Sequence, residues 1–125
     1  MSDKPVILVV DDDQPIRILM QSLLREFGFD PILAASGAEA IAVATARHPD
    51  LILLDKNMPG SSGEDVIRAL RAGEGGGVPI LILTGDSVDP DEIAQLGANG
   101  GVQKPFDISA LIEQIRTTLG IGAKV

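Results

Sequence analysis

Three short segments of the chain are apolar without a polar alternation: Val6-Ile7-Leu8-Val9-Val10, Leu51-Ile52-Leu53-Leu54 and Ile80-Leu81-Ile82-Leu83. They are rich in β-branched residues and too short for helices, so they read as strands buried on both faces. Ile32-Leu33 and Val102-Gln103 are weaker segments of the same kind. After the first strand, Ile16, Leu19, Met20, Leu23, Leu24 and Phe27 recur at steps of three and four. That spacing predicts a helix with one apolar stripe, ending at Gly28. Ile18 lies off this stripe and is expected in solvent. Ser36 with Glu39 and Ser61 with Glu64 each match a capping box, which predicts the starts of helices 2 and 3. A fourth helix is expected from about Pro90 to Leu96 before Gly97, and a fifth from about Ile108 to Leu119 before Gly120.

The resulting (βα)5 alternation implies an α/β fold: right-handed crossovers and a doubly wound, parallel five-stranded sheet covered on both faces. Pro31 cannot donate to a ladder, which places the second strand at an edge and suits the order 2-1-3-4-5. In that order ligands bind beyond the carboxyl ends of strands 1 and 3. The run Gly73-Glu74-Gly75-Gly76-Gly77 is expected to be a flexible surface turn.

A chain of 125 residues, 45% hydrophobic and 22% charged, suits a single globular domain over residues 1–125. Its formal charge of −8 repels phosphate backbones and anionic lipid, so direct nucleic-acid or membrane partners are not expected. With no cysteine and one histidine there is no disulfide, no thiolate metal site and no two-His site. No apolar run approaches the roughly 18 residues of a membrane span, and the first residues lack a signal-peptide pattern, so a cytoplasmic location is expected.

The ends of the strands carry the chemistry. Strand 1 ends in Asp11-Asp12-Asp13 and strand 3 in Asp55, which directs acids toward one crevice. Clustered carboxylates need a cation, and an all-oxygen set without His or Cys selects a hard ion such as Mg2+. Strand 4 ends in Thr84, and strand 5 is followed by Lys104-Pro105. Acids, a metal, a hydroxyl and an ammonium suit a phosphoryl group: a carboxylate attacks phosphorus while Mg2+ and Lys104 neutralise the transferred oxygens. Asp13, directly before helix 1, is expected to cap it.

Val9-Val10-Asp11-Asp12-Asp13, Leu53-Leu54-Asp55-Lys56-Asn57-Met58-Pro59-Gly60, Leu83-Thr84-Gly85 and Lys104-Pro105-Phe106 occur in the order and at the spacings of one family. Over about residues 5 to 120 the chain resembles the receiver domain of bacterial response regulators, which has a flavodoxin-like fold. The resemblance implies a stand-alone, single-domain regulator. Asp55 would accept phosphate from a sensor histidine kinase or phosphotransfer protein, with autocatalysed phosphorylation and dephosphorylation and no enzymatic turnover. Asp12 would ligate Mg2+ directly, Asp11 would hold a metal-bound water, and Asn57 would supply a backbone carbonyl to the ion. It also implies a cis bond between Lys104 and Pro105. Output would be phosphorylation-dependent binding of a protein target. Helix 4 has no basic residue and helix 5 only Arg116, so a mainly monomeric protein is expected.

Five positions stand out. Lys56 stands where the family usually has an apolar residue; it is read as a solvated lysine, with a side chain that tunes the site as the alternative. Gly101 replaces the family's usual Tyr or Phe, so a ring switch cannot operate, and the gap this leaves beside helix 4 is expected either to close by repacking or to take a partner's side chain. Asn57 and Asp86, short and polar at the positions that govern water access, suggest rapid loss of the phosphate. His48 is read as a solvated loop residue.

Two other functions compete. A phosphatase working through a phosphoaspartate would need a second carboxylate two residues after the nucleophile, where Asn57 stands. A pseudo-receiver that only binds would be expected to have lost some of its acids, Thr or Lys, and none is lost. Neither glycine-rich nucleotide motif occurs.

Overall fold

Three strands at the centre of the sheet separate two apolar layers, and the two-residue period of a strand determines which side chain enters which layer. The computed structural model describes residues 4–58, 61–73 and 77–121, with the backbone alone of residues 57, 61 and 62. The elements in chain order are β1 (Val6–Val10), α1 (Gln14–Glu26), β2 (Asp30–Ala34), α2 (Gly37–Arg47), β3 (Leu51–Asp55), β4 (Asn57–Met58), β5 (Ser61–Ser62), α3 (Gly63–Ala72), β6 (Ile80–Thr84), α4 (Pro90–Leu96), β7 (Gly100–Gln103) and α5 (Ile108–Leu119). The main sheet is parallel in the order β2-β1-β3-β6-β7. Counting its five strands alone, this is the expected 2-1-3-4-5, with Pro31 in the edge strand.

Ile7, Val9, Leu51, Leu53, Leu81 and Leu83 face one layer, closed by Met20 and Leu24 of α1 and by Leu111, Ile112 and Ile115 of α5. Leu8, Val10, Ile52, Leu54, Ile80 and Ile82 face the other, closed by Ala40 of α2, by Val66, Ile67 and Leu70 of α3, and by Ile93 of α4. With both faces covered, these strands have no polar face to show, which is why they are continuously apolar in sequence.

Helix ends follow their local chemistry. Asp13 caps α1, its Oδ1 accepting from the Ile16 amide at 3.3 Å. Ser36 caps α2 through the Glu39 amide at 3.1 Å, while the Glu39 carboxylate reaches back to the Ala35 amide. Gly97 and Gly120 close α4 and α5 at φ 90° and 77°, a conformation glycine adopts without a Cβ penalty. His48, exposed, closes α2 at φ 49°.

Two expectations are corrected and two are narrowed. Helix 3 begins at Gly63, because Ser61–Ser62 pairs antiparallel with Asn57–Met58 as a short second sheet; the Ser61 capping contact lies outside the described side chains. On α1, Met20 and Leu24 are buried, but Ile18 and Leu19 are exposed and Ile16 and Phe27 are at the margin, so the buried stripe is narrower than the apolar period. The gap expected at Gly101 is filled: a Cβ at this position would lie 3.1 Å from both Val88 Cγ1 and Ile93 Cδ1. Val88 from the loop before α4 and Ile93 of α4 close over the glycine, so no space is left for a partner's side chain. Lys56 is ion-paired, as described below. Most of the Gly73–Gly77 turn lies outside the described residues.

Arg71, near the end of α3, secures the far end of the sheet. Its guanidinium donates to the carbonyls of Val78 and Gly97 and to Asn99 Oδ1, which also accepts from the Ile80 amide at 2.9 Å. Burial pushes the guanidinium pKa down from its ordinary value. Arg71→Ala is expected to destabilise the protein by about 1.5 to 3 kcal/mol, because the part-buried Val78 carbonyl and the exposed Gly97 and Asn99 acceptors lose a charged donor together. Urea unfolding with an unchanged slope would show it; a loss below about 0.5 kcal/mol would mean the acceptors are satisfied by water.

Candidate metal and phosphoryl site

The parallel register brings the ends of β1, β3 and β6 side by side, Val10 against Leu54 and Asp55 against Leu83. One oxygen each from Asp11, Asp12 and Asp55 lies within 4.8 Å of the others, with Asp11 and Asp55 buried and Asp12 exposed. Asp11 is fixed by its own backbone. Its amide continues the ladder to the Ala34 carbonyl at 3.1 Å, its Oδ1 accepts from the Asp13 amide at 2.9 Å, and its carbonyl accepts from Arg17 Nη1 at 2.7 Å. The other oxygen, Oδ2, is buried with no hydrogen-bond partner.

That orphaned oxygen tests the fit of a cation. Burial, then the charges of Asp55 and Asp12, push the Asp11 carboxyl above its ordinary pKa, against the opposing pull of the Asp13 amide and the Lys104 ammonium. A carboxylate desolvated beside two others is stable in its charged form only with a positive partner. An all-oxygen donor set of this kind fits Mg2+.

Lys104 Nζ lies 3.1 Å from Asp55 Oδ1. The lysine is carried there by β7, whose register with β6 continues past Gln103 as the Lys104 amide donates to the Thr84 carbonyl at 2.6 Å. The Lys104-Pro105 bond is cis. Thr84 is buried, and its Oγ1 accepts from the Asp86 amide at 3.0 Å. Asn57 opens β4 two residues beyond Asp55. All the expected site residues therefore stand along one edge, at the carboxyl ends of the central strands and in the segments that follow them. Asp13 belongs to the cap of α1 instead.

Two residues with a place here were not assigned one from the sequence. Arg17 holds the Asp11 carbonyl from one turn into α1, a side-chain contact that no motif marks. Lys56, read as solvated, is 31% exposed in its side chain and pairs with Asp86 at 3.8 Å and Glu92 at 4.0 Å. Its partners lie on a segment distant in sequence, so only the fold could disclose them.

The model of the response regulator receiver domain matches residues 7–116. The DNA-binding response regulator MtrA of Mycolicibacterium smegmatis is 41% identical over 115 residues, 90% of this chain and 50% of that protein. The probable transcriptional regulatory protein TcrX of Mycobacterium tuberculosis is 40% identical over 119 residues, 93% of this chain and 50% of its own length. The chain thus spans about half the length of these curated relatives. Among solved structures, chemotaxis protein CheY4 of Vibrio cholerae superposes with TM-score 0.85 at 31% identity, covering 92% of this chain and 98% of that one. The receiver domain of sensor histidine kinase PA1611 from Pseudomonas aeruginosa, solved with a magnesium ion in its active-site cleft, superposes with TM-score 0.84 at 31% identity, covering 94% and 98%. Among the described residues no helix is long and apolar enough to cross a membrane. With its parallel sheet, its acidic cluster and the receiver motifs all in register, this chain belongs to the response regulator receiver domain family.

Proposed function

We propose that the chain accepts a phosphoryl group on Asp55 from the phosphohistidine of a sensor kinase or phosphotransfer protein and passes the signal on by phosphorylation-dependent protein binding. The observation that carries this reading is the Lys104 ammonium on Asp55 beside the partnerless buried oxygen of Asp11. In the transfer an Asp55 oxygen bonds to phosphorus as the bond from phosphorus to the donor imidazole nitrogen breaks, and the nitrogen keeps the electron pair. Asp12, Asp55 and the Asn57 carbonyl would hold Mg2+ directly and Asp11 would hold it through a water, and the bound ion would supply charge neutralisation. Lys104 pairs with the transferred oxygens, and the Thr84 hydroxyl donates to one of them. Asn57 and Asp86 are short polar residue types at the positions that govern water access, so dephosphorylation is expected to be autocatalysed and rapid.

The chain is read as a phosphoacceptor and not as a turnover enzyme, because no second carboxylate follows Asp55 at the general-acid position. Its own residues, at formal charge −8, are not proposed to touch nucleic acid, and an α4 free of basic residues favours a mainly monomeric state. Incubation with acetyl phosphate, with and without Mg2+, followed by intact mass, tests the reading. One hydroxylamine-labile phosphate per chain, dependent on Mg2+, is expected; steady multiple turnover of a small phosphoester would favour the phosphatase.

The exposed Ile16, Ile18 and Leu19 adjoin the acidic site and offer an apolar contact to the phosphodonor protein. Ile18→Asp is expected to slow transfer from the cognate kinase by about tenfold, a loss typical of one interface anchor, while phosphorylation by acetyl phosphate is unchanged. Equal losses in both reactions would point to misfolding and remove this contact.

A further inference from the structure

Lys56 continues the ladder one residue past the acceptor, its amide donating to the Leu83 carbonyl at 2.9 Å. That bond sets its backbone beside the end of β6. From there its ammonium reaches Asp86 in the loop after β6 and Glu92 in the first turn of α4. Asp86 is engaged twice, since its carboxylate meets Lys56 while its amide donates to Thr84 Oγ1 at 3.0 Å. A continuous set of contacts therefore runs from the residue next to Asp55, through Asp86, to the hydroxyl of Thr84 and the start of α4.

We propose that Lys56 is a positioning residue that reports the charge on Asp55 to α4: it holds Asp86 and Glu92 while the acceptor is bare and is drawn off them by a phosphoryl group. This rests on the reading of Asp55 as the phosphoacceptor. A phosphoryl group adds roughly 1.5 to 2 negative charges to the residue before Lys56 in the chain, and at physiological salt such a charge acts over a Debye length of about 8 Å. The pairs it competes with are long and partly solvated, so they exchange readily. When Lys56 turns, Asp86 loses its anchor, and its amide is free to leave Thr84 Oγ1, whose hydroxyl can then reorient. Gly101 makes such a link needed, since this chain has no ring there to register a movement of Thr84, and Val88 and Ile93 occupy the space above the glycine.

The test is amide hydrogen exchange over residues 85–93 in wild type, Lys56→Met, Lys56→Arg and Glu92→Gln, at low and high salt, before and after acetyl phosphate with Mg2+. Before phosphorylation, Lys56→Met and Glu92→Gln are expected to exchange about two- to fivefold faster than wild type at low salt, with Lys56→Arg restoring protection. High salt should bring wild type to the level of Lys56→Met. After phosphorylation the segment should loosen in wild type and change little in Lys56→Met, although intact mass shows equal uptake. Identical exchange in wild type and Lys56→Met before phosphorylation, or identical responses at equal uptake, would overturn the link alone. Absence of uptake in every form would overturn the phosphoacceptor reading and the link with it, and the mass measurement separates that case.

Discussion

Asp55→Asn is expected to take up no phosphate from acetyl phosphate and Mg2+, a fall of at least about a hundredfold in rate, because an amide oxygen carries no charge to direct at phosphorus. The substitution keeps the shape of the side chain at the end of β3. Lys104 keeps an acceptor in place of its charged partner at 3.1 Å, so the fold should survive. Intact mass and hydroxylamine lability measure the result. Uptake of one labile phosphate at the wild-type rate would move the acceptor to another carboxylate, Asp12 being the nearest exposed candidate. Lys104 explains why the reaction should be confined to Asp55. Of the carboxylates in the cluster, it is Asp55 that has the ammonium on its oxygen, and the incoming phosphoryl oxygens need that charge.

The second large effect is expected at Asp11, and it has opposite signs with and without metal. The folded state raises the Asp11 pKa above its ordinary 3.8, chiefly through burial. A raised folded pKa means that this group favours folding when protonated. Its contribution is fully present below 3.8 and is lost as pH rises through the folded value, which is the reverse of a salt-bridged carboxylate. At neutral pH without metal the charged Asp11 therefore opposes folding. Asp11→Asn should raise the metal-free melting temperature by about 2 to 5 °C, the response to roughly 1 kcal/mol in a domain of this size. It should also flatten stability against pH in the acid range above 3.8. With Mg2+ at a hundred times its Kd, wild type should gain about 2.7 kcal/mol and Asp11→Asn almost none, since the orphaned carboxylate oxygen has gone. Thermal melts with and without Mg2+ measure both signs. A variant less stable than wild type without metal, or one that Mg2+ stabilises equally, would refute the account of Oδ2 as a metal-directed oxygen.

The sequence itself determined the sheet. Continuous apolar runs such as Leu51 to Leu54 can be buried only on both faces, Pro31 can sit only where its missing amide is not needed, and Gly97 and Gly120 end helices where a left-handed residue is required. These are local properties of the backbone and of transfer from water, so they can be read from neighbours along the chain. The site was legible for the same reason. In a parallel sheet every strand delivers its last residue to one edge, so Asp11, Asp55, Thr84 and Lys104 could be placed together once the strands were known.

Tertiary structure alone decided what depended on packing between distant segments. The first turns of α1 look amphipathic, yet Leu19 is exposed and Ile16 only partly covered. Gly101 suggested a cavity, but Val88 and Ile93 come from another part of the chain and close it, since an empty apolar space loses its contacts on one side. Lys56 looked like a solvated charge, and its carboxylate partners stand thirty and thirty-six positions further on. Periodicity and motif spacing describe what a segment can bury or present; which groups it then meets is determined by the crossover connections, which bring together surfaces that share no local signal.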